Sequence, residues 1–450
     1  MTATAPAPAR SVPRAPGAVP LIGHTLKLWR DPLGFLTSLR RSGELVRVQL
    51  GTMPVYVATS ARLVREVTVT QARYFEKGRL FDRVRPLVGN GLANSNGDTH
   101  RTHRRLMQPM FHQQRLGGYA AIMSNRAEAL ADSWTAGQEI ALEEAISEYT
   151  IETLAETMFS ADLGRPAVEA VRRNFPVILK NMLIRAASPR FLDRLPIRPN
   201  REFDAATARM REVIDDVIAG TRRSGRLDRP DLLSVLLSAR DADTGEALTD
   251  VEVRDQIMTI LFAGTETTAS TLSWAFHELA RHPEVERQLV AEIEEVVGDR
   301  PVTMEDVPRL AAIRRVLDEV IRLYGVTLLM RRATAEVDLG GFTIPAGAEV
   351  AFSLYALHRD PELYEEPDRF DPDRWLPERR AALGREDFVP FGAGNRKCIG
   401  DAFSWTEATI VLATVLRRWR LRPQPGQPSP KAAASAMAHP DRVPMTVLPR

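Results

Sequence analysis

The feature that most constrains this chain is one long helical segment near its centre, from Thr249 to Arg281. Thr249 and Glu252 have the spacing of a capping box at its start, and Pro283 lies just beyond its end. At 1.5 Å per residue such a helix is roughly 50 Å long. Because its centre is apolar on most faces, the helix has to be buried, and the chain has to form a helical body large enough to enclose it.

The remaining patterns predict a mainly α protein with small β-sheets, an α+β chain in class. Helix-length amphipathic stretches dominate residues 60–336. Residues 45–59 alternate in the manner of a hairpin, and two further β-rich pieces lie at 337–342 and 348–354. A last helix is predicted from Asp401 to Trp419.

The domain organisation predicted from the sequence is simple. Residues 1–18 are rich in Pro and Ala and contain no apolar run of signal-peptide length, so they predict a flexible arm. Residues 19–450 show neither an internal repeat nor a linker between two cores, which favours a single domain.

Charge and cysteine usage exclude several classes of protein. Sixty basic and 58 acidic side chains leave a formal charge of +2, so no nucleic-acid or membrane partner is expected. This overall balance is still compatible with a local basic patch. No run of about 18 uncharged apolar residues predicts a membrane-spanning helix. A single cysteine fits a reducing compartment, and we expect a cytoplasmic monomer.

That cysteine, Cys398, lies in the loop FGAGNRKCIG at 391–400, directly before the predicted last helix. Free backbone N–H groups at a helix start, together with Arg396 and Lys397, stabilise a thiolate. The glycines let the backbone lie close to a flat ligand. The alternative is a buried structural cysteine beside a glycine-rich turn, which is the ordinary role of a lone cysteine.

A second group of polar residues interrupts the apolar centre of the long helix, in the run AGTETT at 263–268. In the simplest interpretation Glu266 faces solvent and the threonine hydroxyls bond carbonyls one turn back.

The cysteine loop resembles the FxxGxRxCxG signature of the cytochrome P450 family at Phe391, Gly394, Arg396, Cys398 and Gly400. This resemblance implies a haem-thiolate monooxygenase in which Cys398 is the iron ligand of haem b, iron protoporphyrin IX. It also implies the cytochrome P450 fold, with the haem between the long oxygen-side helix and the cysteine-loop helix.

The run AGTETT is similar to the oxygen-activation motif of the same family. The resemblance implies that Ala263 and Gly264 lie beside the haem and leave room for dioxygen. It assigns Glu266 and Thr267 as the acid–alcohol pair that delivers protons during oxygen activation.

Three further residues resemble the family's structural network. Glu319 and Arg322 stand three apart on one predicted helix, where a solvated surface pair would be the ordinary interpretation. They resemble the family's ExxR motif, and Arg374 resembles its third member, which implies a buried network that supports the cysteine loop.

The resemblance also implies which residues hold the haem. His100 and Arg104 resemble the helix that contacts the propionates, Arg396 resembles the propionate-pairing arginine, and Arg331 fits a further contact for which Arg332 is the rival. The expected haem contacts of the cysteine loop also include Phe391, Gly392 and Gly400.

The expected substrate is a hydrophobic small molecule held by shape, because the segments at pocket positions are mainly apolar. The chain resembles bacterial members of the family that oxidise sesquiterpenes, in one or several successive steps. In residues 325–330, prolines found in many relatives are missing, which puts substrate contacts there in doubt. The candidate pocket residues are Leu87, Leu183, Phe262, Thr268, Val326 and Leu328.

Electrons are expected from a separate ferredoxin and ferredoxin reductase, because Cys398 lies near the end of the chain. Arg396, Lys397, Arg417 and Arg418 suggest a basic face for an acidic ferredoxin. Two other functions stay open: a peroxide-driven haem-thiolate enzyme, and a non-catalytic haem-thiolate binding or sensor protein.

Overall fold

The structure is a computed structural model, and it describes residues 11–159, 169–178, 181, 195–225, 227–228, 231–241 and 244–450. Leu183, a candidate pocket residue, and the first ten residues of the predicted arm lie outside these ranges. The chain divides into two compact units. The first comprises the described part of residues 1–82 with 325–369 and 381–398, and the second the described parts of 83–324, 370–380 and 399–450.

The helices and strands of the described ranges are numbered in chain order. The helices are α1 (Thr25–Arg30), α2 (Pro32–Ser38), α3 (Ala61–Arg65), α4 (Arg79–Val88), α5 (Gly97–Met107), α6 (Gln113–Asp132), α7 (Leu142–Met158), α8 (Arg198–Ser224), α9 (Leu232–Ser238), α10 (Asp250–Arg281), α11 (Pro283–Val296), α12 (Ala311–Tyr324), α13 (Leu354–Leu357), α14 (Pro377–Arg380) and α15 (Asp401–Arg418). The strands are β1 (Leu45–Leu50), β2 (Met53–Ala58), β3 (Phe75–Lys77), β4 (Glu139–Ala141), β5 (Leu329–Ala333), β6 (Val337–Leu339), β7 (Phe342–Ile344), β8 (Glu349–Phe352), β9 (Trp419–Pro423), β10 (Ala432–Ala434), β11 (Ala438–Pro440) and β12 (Pro444–Pro449).

The first unit is built on a five-stranded sheet in the order β1-β2-β8-β5-β3. The predicted hairpin is confirmed, because β1 and β2 pair antiparallel from Leu45 opposite Ala58 to Leu50 opposite Met53. At the other edge β3 pairs antiparallel with β5, which sets Lys77 opposite Arg331. This register places two basic side chains of distant segments next to each other.

The amino-terminal segment is attached to the same sheet. Ala15 donates its backbone N–H to the carbonyl of Arg47, and Arg47 donates to the carbonyl of Pro13, at 3.0 and 2.7 Å. Residues 13–15, inside the segment predicted as a flexible arm, are therefore held against β1.

The second unit is helical, and its core surrounds the long helix α10. The capping box predicted at its start is present: the Thr249 hydroxyl accepts from the N–H of Glu252, and the Glu252 carboxylate accepts from the N–H of Thr249. Helix α10 packs most extensively on α7, and α15 on α6. A continuous apolar cluster runs through these helices, as the burial predicted for α10 requires.

Several short strands were not predicted. No strand was predicted for Leu329 to Ala333, which forms β5, or for the carboxyl-terminal strands β9 to β12. These five strands have three to six residues each, which is too short for an alternating pattern to be decisive. No helix in the described part of the chain is long and apolar enough to cross a membrane.

Candidate active site

The loop before α15 presents Cys398 with an exposed thiol. The backbone N–H of Cys398 donates to the carbonyl of Phe391 at 2.9 Å, which closes the loop. Gly392 and Gly394 have positive φ angles of 71° and 68°. A Cβ on Gly394 would lie 2.1 Å from the carbonyl oxygen of Thr68, so only glycine fits this position. The cysteine is therefore held on a constrained backbone three residues before α15 begins.

A group of three cations lies in the same unit: Arg331 is buried, and Lys77 and Arg396 are half-buried. Sequence reasoning missed Lys77. Lys77 and Arg331 are opposite each other in β3 and β5. Burial, and then the positive charges of Arg331 and Arg396, hold the pKa of Lys77 well below its usual range. Burial, followed by the charge of Arg396, lowers the pKa of Arg331 to about 10. Nothing in the pattern around Lys77 distinguishes it from a surface lysine; only the pairing of the strands does.

Arg331 and its rival Arg332 are in opposite electrostatic surroundings. Arg332 lies 2.9 Å from Asp82 and 2.7 Å from Glu349, and these carboxylates raise its pKa. Arg331 is buried, and its guanidinium donates to the carbonyl of Met330 at 2.9 Å. No carboxylate in the described ranges pairs with Arg331, so it is the arginine suited to bind an added anion.

These cations fit the carboxylates of a haem. Like charges in a partly buried site repel one another and are stabilised by an anionic partner. Two propionate groups supply that kind of charge, and guanidinium groups bind carboxylates through paired hydrogen bonds. Lys77, Arg331 and Arg396 therefore form a donor set whose chemistry matches the haem implied by the cysteine loop.

In the second unit, His100 and Arg104 lie one turn apart on α5. His100 is buried and Arg104 is half-buried. Both side chains carry nitrogen donors and lie on the same face of the helix, four residues apart. This arrangement suits the binding of a carboxylate group.

The centre of α10 differs from the rest of that helix in its accessibility. Between Asp255 and Leu279, all residues but five are buried. The accessible five are Phe262, Ala263, Gly264, Glu266 and Thr267. At Gly264 an added Cβ would lie 2.9 Å from the Leu154 side chain, so the helix comes close to α7 there. The candidate oxygen-activation residues thus form a local accessible strip in a buried helix.

Glu266 and Thr267 have distinct environments within this strip. Burial raises the pKa of Glu266, although contacts with the Ser435 side chain and the Ala436 backbone N–H favour its charged form. The Thr267 hydroxyl donates to the carbonyl of Ala263 at 2.8 Å, as the simplest interpretation of the threonines expected. A hydroxyl that donates in this way still has lone pairs with which to accept a proton-bearing partner.

Thr268, a candidate pocket residue, is buried, and its hydroxyl lies 3.3 Å from that of Ser404 on α15. Thr268 also interacts with Glu407, whose pKa is raised to about 8 by burial. The side chain therefore faces a neighbouring helix. A carboxylate inside the apolar run of α15 is a signal that could have directed attention to Glu407.

Glu319 and Arg322 form a fully buried pair on α12. Arg322 donates from Nε and from Nη2 to the two carboxylate oxygens of Glu319, each at 2.8 Å. The Trp375 indole and the backbone N–H of Asp371 donate to the same carboxylate at 3.0 Å. Arg374 Nε lies 3.6 Å from it. This network fixes the segment 371–375 against α12.

The other candidate pocket residues are apolar and occupy different environments. Leu87 is fully buried in the core of the second unit, where Phe262 is half-buried. Val326 and Leu328 are half-buried in the first unit. Buried Leu87 is at most a supporting residue, whereas the three half-buried side chains have surface with which to contact a ligand.

Comparison with known proteins identifies the family. The family model described as Cytochrome P450 matches residues 13–446. Cyclooctat-9-en-7-ol 5-monooxygenase of Streptomyces melanosporofaciens is 44% identical over 92% of this chain and 90% of its own. Pentalenene oxygenase of Streptomyces avermitilis is 39% identical over 95% of both chains. The crystal structure of the cytochrome P450DA heme domain superposes with a TM-score of 0.86 at 29% identity, covering 98% of each chain.

The chain belongs to the cytochrome P450 family. It has the fold of that family and is a haem-dependent monooxygenase with haem b as its cofactor. Members of the family act on hydrophobic substrates and take their electrons from redox partners. The fold class, the cofactor and the reaction type predicted from the sequence are therefore confirmed.

Proposed function

We propose that this enzyme inserts one oxygen atom of O2 into a C–H bond of a terpene or a similarly apolar natural-product intermediate, in one or several successive oxidations. The observation that carries the assignment of residues is the glycine-constrained loop that presents the only cysteine, Cys398, directly before α15. Bound haem supplies the activation of O2. The residues of this chain hold the haem, deliver protons and position the substrate.

In this proposal Cys398 is the iron ligand and donates electron density through its thiolate. Arg396, Arg331 and Lys77 are proposed to bind the propionates, and the family resemblance gives His100 and Arg104 the same role. Phe391, Gly392 and Gly400 line the haem on the cysteine side, and Ala263 and Gly264 line it on the oxygen side. Glu319, Arg322 and Arg374 keep the supporting segments rigid without contacting the reacting atoms.

Glu266 and Thr267 are proposed to deliver protons. A carboxyl group whose pKa is raised by burial keeps its proton closer to neutral pH, so it is a better acid there than an exposed glutamate. The Thr267 hydroxyl, oriented by its bond to Ala263, can accept a hydrogen bond from a water and hold it at the oxygen side.

The terpene substrate class is supported by the relatives whose names refer to cyclooctat-9-en-7-ol and to pentalenene. Within this chain, the half-buried side chains of Phe262, Val326 and Leu328 offer apolar surface for binding by shape. A screen for shifts of the haem Soret band, followed by product analysis, tests this class. If a panel of terpenes neither shifts the band nor is oxidised, the substrate assignment is wrong.

We further propose a ferredoxin and a ferredoxin reductase as electron donors to a cytoplasmic monomer. Two of the arginines expected on the docking face have acidic partners within the chain: Arg417 and Arg418 are both paired with Glu128, and Arg418 is also paired with Asp132. Their charge is balanced, so Lys397, which is exposed, carries more of the expected attraction. The rate of reduction by an acidic ferredoxin should fall as the salt concentration rises. At low salt it should be lower for Lys397→Glu than for the unaltered enzyme.

Two experiments test the assigned residues. The reduced, carbon monoxide-treated protein should absorb near about 450 nm, and Cys398→Ala should abolish that band. Thr267→Ala should lower the product formed per electron consumed and raise peroxide release. Thr265→Ala is the matched control, because Thr265 makes the same bond one turn back, to Leu261 at 2.8 Å, but is buried. Equal coupling in both threonine variants would remove Thr267 from the mechanism.

A further inference from the structure

Exposed apolar side chains are concentrated near the amino terminus of the described chain. Across the described ranges, ten large hydrophobic residues are exposed, and five of them fall within residues 19–29. The five, here called the amino-terminal patch, are Val19, Leu21, Ile22, Leu26 and Trp29. Single exposed apolar residues are ordinary, but a group of them indicates an interaction surface.

The turn that carries Leu21 is fixed in place. Val19 and Gly23 exchange two backbone hydrogen bonds of 2.9 and 2.7 Å, which close a tight loop with Leu21 at its tip. Leu21 has a φ of 66°, a region that non-glycine residues rarely adopt, and its side chain is 89% exposed. The fold thus holds a leucine outward in an unfavourable backbone conformation, which points to a use for its position.

The loop is anchored to the sheet by His24, which is buried. Its ring accepts from the N–H of Gln49 at 2.9 Å and its other nitrogen lies 3.0 Å from the carbonyl of Ala15. The ring also stacks on Phe35 at 5.6 Å between centroids. The next segment, α1, presents Leu26 and Trp29, which are three residues apart and share a face. Both parts of the patch are therefore preformed.

The charge of the segment that carries the patch is mainly positive. The first 30 residues contain four basic side chains and no Asp or Glu, and an exposed carboxylate, Asp31, follows directly. Arg14, Lys27 and Arg30 are exposed, and no carboxylate within the described part of the chain pairs with them. This local excess of positive charge is not evident from the formal charge of +2 for the whole chain.

We propose that the amino-terminal patch and its basic neighbours dock the enzyme on the surface of an anionic lipid bilayer, without spanning it. Trp, Leu and Lys or Arg on one short segment are the composition of interfacial membrane-binding elements. A stable protein interface needs about 20–30 residues on each side, whereas a bilayer accepts a few inserted side chains. Docking would bring the enzyme to the phase in which apolar substrates dissolve, a benefit that rests on the proposed substrate class.

The test uses the haem-loaded enzyme and sedimentation with vesicles. It should pellet with vesicles of phosphatidylglycerol and phosphatidylcholine in equal amounts, and much less with phosphatidylcholine alone or at high salt. Leu21→Asp and Trp29→Asp should each weaken the partition by about tenfold or more. Val251→Asp is the matched control, because Val251 is 55% exposed but lies at the start of α10, and it should bind as the unaltered enzyme does.

Tryptophan fluorescence gives a second measurement. Trp29 is the exposed one of the six tryptophans, so its emission should shift to shorter wavelength when anionic vesicles are added, and Trp29→Phe should remove the shift. All variants should keep the band near about 450 nm, which shows that the fold is intact and keeps this test separate from the haem assignment.

Three results would overturn the proposal. The enzyme would remain in the supernatant with anionic vesicles, or Leu21→Asp and Trp29→Asp would bind as tightly as Val251→Asp. In the third result, the enzyme does not bind vesicles and sediments as a dimer in their absence, and Leu21→Asp and Trp29→Asp dissociate the dimer. The patch would then contact a second copy of the chain.

Discussion

Replacing Arg322 by leucine should destabilise the enzyme far more than removal of an exposed ion pair does. Arg322 and Glu319 are both 0% exposed, and their two hydrogen bonds of 2.8 Å are half of the four short donor contacts to the Glu319 carboxylate. Leucine would leave that carboxylate buried with two neutral donors, Trp375 and Asp371, and with Arg374 at 3.6 Å as its remaining cationic neighbour. Breaking a buried pair from one side costs about 3–5 kcal/mol.

Arg209→Leu is the matched control for this substitution. Arg209 pairs with Glu212 at 3.1 Å and with the same three-residue spacing on a helix, but the two side chains are 66% and 62% exposed. Solvent screens such a pair, so its loss should change the free energy of unfolding by about 0.5 kcal/mol or less.

The assay is urea unfolding of the haem-loaded enzyme, followed by circular dichroism and by the Soret band. The double variant Glu319→Leu with Arg322→Leu should recover part of the loss, because the buried Glu319 carboxylate is then removed together with its main cationic partner. Full recovery is not expected, since the Trp375 indole and the Asp371 N–H lose their acceptor. If Arg322→Leu unfolds within about 1 kcal/mol of Arg209→Leu, the network does not stabilise the fold as argued.

Three further predictions concern haem binding, the cysteine loop and the pH dependence of stability. Lys77→Met should speed the transfer of haem to apomyoglobin, because one of the cations assigned to the propionates is removed; an unchanged rate would contradict that assignment. Gly394→Ala should lower haem content sharply, because its Cβ would lie 2.1 Å from a backbone oxygen. Gly392→Ala is the control: its Cβ would meet nothing within 4 Å, so the substitution should cost only about 1–2 kcal/mol of backbone strain. Equal losses of haem in the two variants would refute the steric argument. Burial raises the pKa of Glu407 to about 8, so the native state binds the extra proton and the stability of the wild-type fold should fall as pH rises from about 5 to 8. Glu407→Gln should flatten this dependence in urea unfolding, and an equally steep profile would show that another group causes it.

What could be predicted from sequence is what neighbouring residues decide. The capping box of α10 and the hairpin of β1 and β2 depend on contacts within a few residues, and both were found at their predicted positions. The cysteine loop is contiguous, so its spacing was sufficient to indicate the family and the cofactor. Glu319 and Arg322 are three residues apart on one helix, which brings them within reach without any tertiary information.

Only the tertiary structure decided which charges meet. Lys77 lies opposite Arg331 because β3 pairs with β5 across more than 250 residues of chain, and a three-residue strand carries no pattern that specifies this register. The same sheet pairs Arg332 with carboxylates and leaves its neighbour Arg331 without one, although the two look alike in sequence. Side-chain identity and local period are properties of the chain, whereas burial and electrostatic potential arise from the distant segments that packing brings together.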